Sequence, residues 1–450
     1  MKIYTYLLAS LFFVATAYAQ DVPFDKELFL DNEAEFNAAK KKLDKGYAIF
    51  NESPSTYINF YDPAYIIREE NYVKALPFLV KANGFNPDNA ELNYRLGRCY
   101  LMNNVNKQKS LTYFLKSYEL DRNITDDIQY YLGISYHLSM DFEKAITAFE
   151  KYKGILSTLD EKEDVEKRIK ECKTAINLIE NPLRVYITSI GDSINQASPE
   201  YGSIISTNDS VMMFTSRRST SKGAKKMMRV RGDYDEDVFI SFKKNGTWSS
   251  SKNMKHRINT KDNDATVALS ADGKRMIIYR GDNNGDLFEC KLSGEKWSKP
   301  KRMNNNINTV YHESSASYSS DGSRLYFTSN KPGGYGGQDI YVTHWNEGIN
   351  DWEEAENIGR EINSKQDEEA PFIHSNGKTL YFSSRGHKTM GDYDVFKSVI
   401  QKNGRWGEPE NMGYPINTVE DDVFFVINGS GRRGYYSSSK NDEDKDIYQI

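Results

Sequence analysis

Cysteine is scarce. Cys99, Cys172 and Cys290 are the three in 450 residues, too few and too scattered for a disulfide framework or a zinc site. They read as buried small hydrophobes, with a Cys99–Cys172 bridge as the alternative. A large charge of one sign is also lacking: the formal net charge of -5 argues against bulk nucleic-acid binding, which needs a strongly basic face. Beyond the N-terminus no apolar run reaches the roughly 18 residues of a membrane span, so no transmembrane helix is expected. Six histidines, among them His137, His312 and His374, show no metal-ligand spacing. Gly-x-Ser-x-Gly, His-Glu-x-x-His and Walker patterns are absent. No catalytic residue, metal or cofactor is expected, and the chain reads as a binding protein.

At the N-terminus, Lys2 precedes an apolar run from Leu7 to Ala17, and Ala17-Tyr18-Ala19 precedes Gln20. A positive start, a short hydrophobic region and a small-residue cleavage site form a secretory signal peptide over residues 1–19. The chain is therefore expected to be exported, and no Cys follows the signal to carry a lipid. The remaining length has room for two or three domains, and 38% hydrophobic with 13% aromatic residues is a globular composition.

Residues 20–182 read as helical. Leu96, Gly97 and Tyr100, then Ser110, Phe114 and Ser117, are answered by Leu132, Gly133 and Tyr136, then Ala145, Phe149 and Tyr152. The two glycines lie 36 residues apart. Small residues there let neighbouring helices approach closely, and the aromatics fill the space between them. Ala75, Leu79, Ala82 and Pro87 make the second half of an earlier, degenerate copy. Ile169, Cys172, Ile176 and Ile179 form one stripe of a charged helix ended by Asn181-Pro182, a cap for the array.

Residues 183–450 carry a second repeat. Trp248, Trp297, Trp352 and Trp406 are each followed by an Ile-Asn pair, at Asn259, Asn308, Asn363 and Asn417. Both markers recur at 49, 55 and 54 residues, a period that means propeller blades. Asp272-Gly273, Asp321-Gly322, Asn376-Gly377 and Asn428-Gly429 mark tight hairpins. An Asp-aliphatic-aromatic strand occurs five times, at Asp237, Asp286, Asp339, Asp394 and Asp446. The last copy ends without a Trp strand, whereas Leu183 to Ile187 with Ile194-Asn195 match the missing strand and corner. The expected fold is thus multidomain, α plus all-β: helical repeats, then a five-bladed propeller closed by its own leading strand, leaving no free sheet edge.

These motifs resemble known families. The helical pairs resemble tetratricopeptide repeats, and that geometry implies a concave peptide groove lined by Glu91, Tyr94, Arg98, Asp127, Tyr130, Ile134 and His137. The alternative is a spacer whose surface these residues cover. Ser320-Asp321-Gly322 and Leu325-Tyr326-Phe327 resemble the WD-like repeats of TolB-type periplasmic propellers. The combination is similar to Bacteroidota envelope proteins, including a periplasmic component associated with type IX secretion. The resemblance implies a periplasmic scaffold that holds envelope or outer-membrane proteins; relatives often continue into an OmpA-like domain, with which this chain does not continue. A glycan- or peptidoglycan-binding propeller, or a sialidase-like hydrolase, is the alternative.

Five residues after each corner Asn stands an acid: Glu200, Asp264, Glu313, Glu368 and Asp422. Two readings stand. The acids form a channel-rim ring for a cation or basic peptide, or they pair with bases at Arg217, Arg280, Lys331, Arg385 and Lys440. Arg217, Arg218, Lys222, Lys225, Lys226, Arg229 and Arg231 crowd one insertion, either a dock for an anionic partner or a solvated loop. Asp282-Asn283-Asn284-Gly285-Asp286 reads as a turn, because Leu287 replaces the Gly of a calcium loop.

Overall fold

The computed structural model describes residues 20–52, 63–103, 106–221, 234–440 and 445–450. The expected signal peptide lies outside them, as do Lys222, Lys225, Lys226, Arg229 and Arg231 of the basic insertion. Among the described residues no helix is long and apolar enough to cross a membrane.

Among the described residues seven α-helices come first. Helices α1 (Glu33–Asn51) and α2 (Pro63–Phe85) pair, as do α3 (Ala90–Leu101) with α4 (Lys109–Leu120) and α5 (Ile128–Leu138) with α6 (Phe142–Lys153). A Cβ on Gly97 would stand 2.6 Å from the Phe114 ring, and one on Gly133 2.6 Å from Phe149. Glycine is therefore required by the closeness of the helices, as the spacing of these residues implies. Gly46 on α1 meets Leu79 on α2 in the same way, which completes the first pair. Sequence spacing misses it because the connection between α1 and α2 is longer than the others. Helix α7 (Leu159–Glu180) packs on α6. Thr158 caps it by accepting from the Glu161 amide at 3.3 Å and donating to the Glu161 carboxylate at 2.5 Å, a reciprocal cap.

Among the described residues five antiparallel sheets follow, each with a hairpin of two inner strands, a third strand and an outer strand, which is in two pieces in the first three sheets and a single short strand in the last two. The innermost strands are Glu200–Ile205, Asp264–Leu269, Ala316–Tyr318, Glu368–Ile373 and Asp422–Ile427. In the fifth sheet the outer strand is Thr188–Ser189, supplied from before the first blade: Thr188 pairs with Gln449 and Ser189 with Tyr448. Apolar cores fill the gaps between sheets. One of them joins Met212, Phe214 and Trp248 of the first sheet to Val426, Tyr435 and Ile447 of the last.

The corner Asn has a specific task. Asn259 Oδ1 accepts from the Val238 amide at 2.9 Å while its Nδ2 donates to the Val238 carbonyl at 3.0 Å. Asn308 holds Leu287 in this way, Asn363 holds Ile340, and Asn417 holds Val395. Asn195 does the same for Ile447 of the last sheet. The side-chain amide thus acts as one extra peptide unit beside the third strand, giving its buried N–H an acceptor and its carbonyl a second donor beside a backbone amide.

Two sequence expectations are corrected. All three cysteines are free and buried in three different cores, so the Cys99–Cys172 bridge does not exist. In the last hairpin the left-handed glycine is Gly431, at φ 66°, whose amide bonds Asn428, not Gly429; the turn sits two residues later than the dipeptide suggests.

Candidate functional site

The five repeated acids are fully buried, and each closes its own corner. The carboxylate accepts from the amide four residues earlier: Glu200 from Gln196 at 2.7 Å, Asp264 from Thr260 at 2.5 Å, Glu313 from Thr309 at 2.9 Å, Glu368 from Ser364 at 2.7 Å and Asp422 from Thr418 at 2.6 Å. Ser216, Ser329 and Ser384 donate at 2.6 Å to Glu200, Glu313 and Glu368. Burial raises all five carboxyls against these donors, Glu368 to about 8 and Asp422 to about 7. None lines the central cavity.

One base meets its expected acid and the others are placed elsewhere. Arg280 bonds Asp264 at 2.7 Å. Arg217 instead takes Glu236 at 2.6 Å, and its neighbour Arg218 takes Glu200 at 3.0 Å. Lys331 stands over Tyr341 and Lys440 over Tyr448, while Arg385 faces Asp421 at 3.9 Å and Tyr393. Asp282–Asn284 forms a short turn with Asn283 and Asn284 in the left-handed region.

The cavity on the propeller axis is lined by all five innermost strands, from Gly202 to Thr207 in the first to Phe424 to Gly429 in the last. Its volume, as the space open to the centres of water-sized molecules, is about 100 Å³. The lining is hydroxyl, backbone and apolar, with Ser203, Thr266, Ser317, Phe372 and Phe424 among it, and it holds no carboxyl, histidine or cation. Ala370 and Phe424 line it with φ of 51° and 59°, strained positions for residues with side chains.

The groove residues are placed in two groups. Glu91 is exposed and pairs with Arg95. Tyr94 donates to Asp127 at 2.8 Å, and Arg98 donates to Tyr94 at 3.1 Å and to Tyr72 at 2.9 Å. Tyr130 reaches Asp164 of α7 at 3.0 Å, and Ile134 packs among α4, α6 and their neighbours. His137 is drawn elsewhere: buried, it faces the Met390 carbonyl of the fourth blade at 2.8 Å. Burial holds its pKa below the ordinary value, so the neutral ring donates through Nε2–H.

His137 marks a seam between the helices and the propeller that the sequence analysis did not find. Lys107 reaches Glu420 at 2.7 Å, and Arg168 of α7 reaches Asp392 at 3.3 Å. Glu171 is 1% exposed; it takes Lys167, Arg168 and the Thr389 hydroxyl. Burial acts to raise Asp392, but Arg168 and Arg385 overcome it and hold the carboxyl far below its usual range. Met390 inserts among Phe142, Phe149 and Cys172. The seam is therefore an apolar plug ringed by ion pairs. Its residues occur once each, so no periodic signal could have revealed them.

No known protein family and no curated protein matches the chain. Solved structures give only distant likenesses. The hydrazine synthase of Kuenenia stuttgartiensis is 12% identical over 55% of this chain and 58% of its own, with a TM-score of 0.30. An α-L-arabinofuranosidase from Lactobacillus brevis is 10% identical over 58% and 93%, at 0.38. The NanB sialidase of Streptococcus pneumoniae is 12% identical over 48% and 35%, at 0.29. This chain covers less than two thirds of the synthase chain. Scores this low carry no argument about activity.

Proposed function

We propose that the protein is a non-enzymatic interaction scaffold of the cell envelope, exported to the periplasm, with tetratricopeptide-type helical repeats and a closed five-bladed propeller as its two binding modules. The observation that carries this reading is the seam. Lys107–Glu420 and Arg168–Asp392, with Met390 seated among α6 and α7, join the modules so that surfaces on both can address one assembly. An uncharged axial cavity favours binding over hydrolysis. Envelope or outer-membrane proteins are the partners we infer, and the association with type IX secretion rests on the resemblance alone. Crosslinking in intact cells, followed by recovery of the tagged chain, tests it: outer-membrane or secretion proteins should be recovered, and lost when residues 20–180 are deleted. Recovery of no protein partner refutes the scaffold.

A second reading is a glycan-binding propeller. Tyr311 and Tyr335 are exposed by 39% and 51%, and both lie on loops of the third blade at the end where the innermost strands begin. Loss of peptidoglycan pull-down in a Tyr311→Ala, Tyr335→Ala variant is its expected result; unchanged pull-down removes it.

A further inference from the structure

The axial cavity has two unlike ends. Where the innermost strands finish, it opens between Thr207, Ala271, Ser320, Ser375 and Gly429, one small and exposed residue from each blade. The seam lies at the other end: Met390 and Asp392 stand on the loop after Ser384, which pairs with Glu368 where the fourth innermost strand starts. Toward that end the lining includes Phe424, whose ring lies on Tyr201 with centroids 6.2 Å apart and planes at 25°.

The wall offers apolar rings and hydroxyls together. Phe372 and Phe424 are both half-buried and both line the space. Phe424 presents its ring from φ 59° and Ala370 stands at 51°, a region that residues with side chains rarely adopt and that collects at ligand sites. Ser317 is 6% exposed; its oxygen accepts the Ile373 amide at 3.1 Å, and its own proton finds no acceptor among the described residues. The Ser320 and Ser375 hydroxyls at the mouth bond nothing among the described residues.

Among the described residues no charged side chain lines the space. A carboxylate or phosphate entering it would lose water and find no cation, which is costly, whereas a neutral ligand exchanges water for the rings and the available donors. The 100 Å³ open to the centres of water-sized molecules holds roughly seven to ten waters at about 10–15 Å³ each, the room of one small ring with its substituents.

We infer that the axial cavity is a receptor for one neutral, hydroxyl-bearing ring of the class of a single sugar residue. It enters at the hairpin end, sets its apolar face against Phe372 or Phe424 and takes the Ser317 proton on one of its oxygens. This site is separate from Tyr311 and Tyr335, which stand at the opposite end of the propeller, and it does not depend on the scaffold having a protein partner.

The test uses the full chain with ¹³C-labelled isoleucine and valine methyls, titrated with glucose, N-acetylglucosamine and glucuronic acid. Ile205 and Val267 line the cavity, so their methyl resonances should shift and saturate with at least one neutral sugar. Glucuronic acid, the glucose ring with a carboxylate, should bind at least about tenfold more weakly than that sugar. Ser320→Trp with Ser375→Trp narrows the mouth from two exposed positions, so this variant should melt at the parent's temperature and lose the shifts. The Tyr311→Ala, Tyr335→Ala variant should keep them. Resonances of Ile205 and Val267 unmoved by both neutral sugars overturn the receptor. So does glucuronic acid bound as tightly as the neutral sugars, or a folded mouth variant that binds like the parent.

Discussion

Removing the Asn195 side chain tests whether the leading segment closes the propeller. Asn195→Ala deletes the acceptor for the Ile447 amide, at 3.1 Å, and the donor to the Ile447 carbonyl, at 2.9 Å. Ile447 is fully buried and Asn195 is 6% exposed, so water does not readily replace either bond. The Ile447 carbonyl keeps the Ile190 amide at 3.3 Å, so the Ile447 amide is the group left without a partner, at a cost of about 1–3 kcal/mol. Asn308→Ala is the reference, because it breaks the equivalent bonds to Leu287 between two neighbouring blades in mid-ring. Urea unfolding followed by tryptophan fluorescence gives the midpoint shift, and amide hydrogen exchange of the 446–449 strand reports the local effect. A closed ring predicts equal losses in the two variants and faster exchange at Ile447 in the first. If Asn195→Ala lies within about 0.5 kcal/mol of the parent, the range of an ordinary surface change, while Asn308→Ala shows the full loss, the ring is not closed by this segment.

Gly133→Ala places a methyl 2.6 Å from the Phe149 ring; overpacking of this kind costs about 1–3 kcal/mol, opposite in sign to the usual gain from replacing a helical glycine, and Phe149→Leu in the same chain should recover part of it in thermal melts. Burial raises the Glu368 carboxyl from 4.5 to about 8, so the folded state holds a proton that the unfolded chain gives up. That stability is complete below pH 4.5 and is lost as pH rises toward 8, by about 1.4 kcal/mol per unit for one such carboxyl; denaturation across this window should show the fall, and Glu368→Gln should flatten it. Lys107→Ala leaves the Glu420 carboxylate, 10% exposed, without its cation, and should loosen the seam enough to speed amide exchange in α5 and around Met390 while the innermost propeller strands keep their protection. Unchanged exchange at Met390 would show that the apolar plug alone holds the modules.

Much of the architecture was legible because it repeats. Corner Asn, strand Asp and first-strand acid recur in every blade, since each blade must solve the same problem of closing a turn with buried backbone groups. The middle member of the network was overlooked. Asn253, Asn357 and Asn411 stand six residues before their corner Asn and bridge it to the strand Asp, as in Asp394–Asn411–Asn417, with bonds of 2.7 and 2.8 Å. The same six-residue offset in three copies was a readable signal. For the acids two readings stood, a ring of charge and a local role in each blade, and their buried bonds to the amide four residues earlier favour the second: an acid required in every blade is required by the blade.

That distinction orders the whole chain. A residue demanded by a repeat carries little information about a partner, because its counterparts serve the same local bonds wherever they occur. Residues that depart from the repeat are the ones free to be specific. Met390 docks from a loop position where the second blade has Asp282 and the third the exposed Tyr335, and Lys107 and Arg168 reach acids in loops of the fourth and fifth blades. Arg98 stands where the next repeat has Ile134, and it donates to Tyr94 and Tyr72. Specificity in this protein is therefore to be sought at its asymmetries, first at the seam that fixes the helices to loops of the fourth and fifth blades.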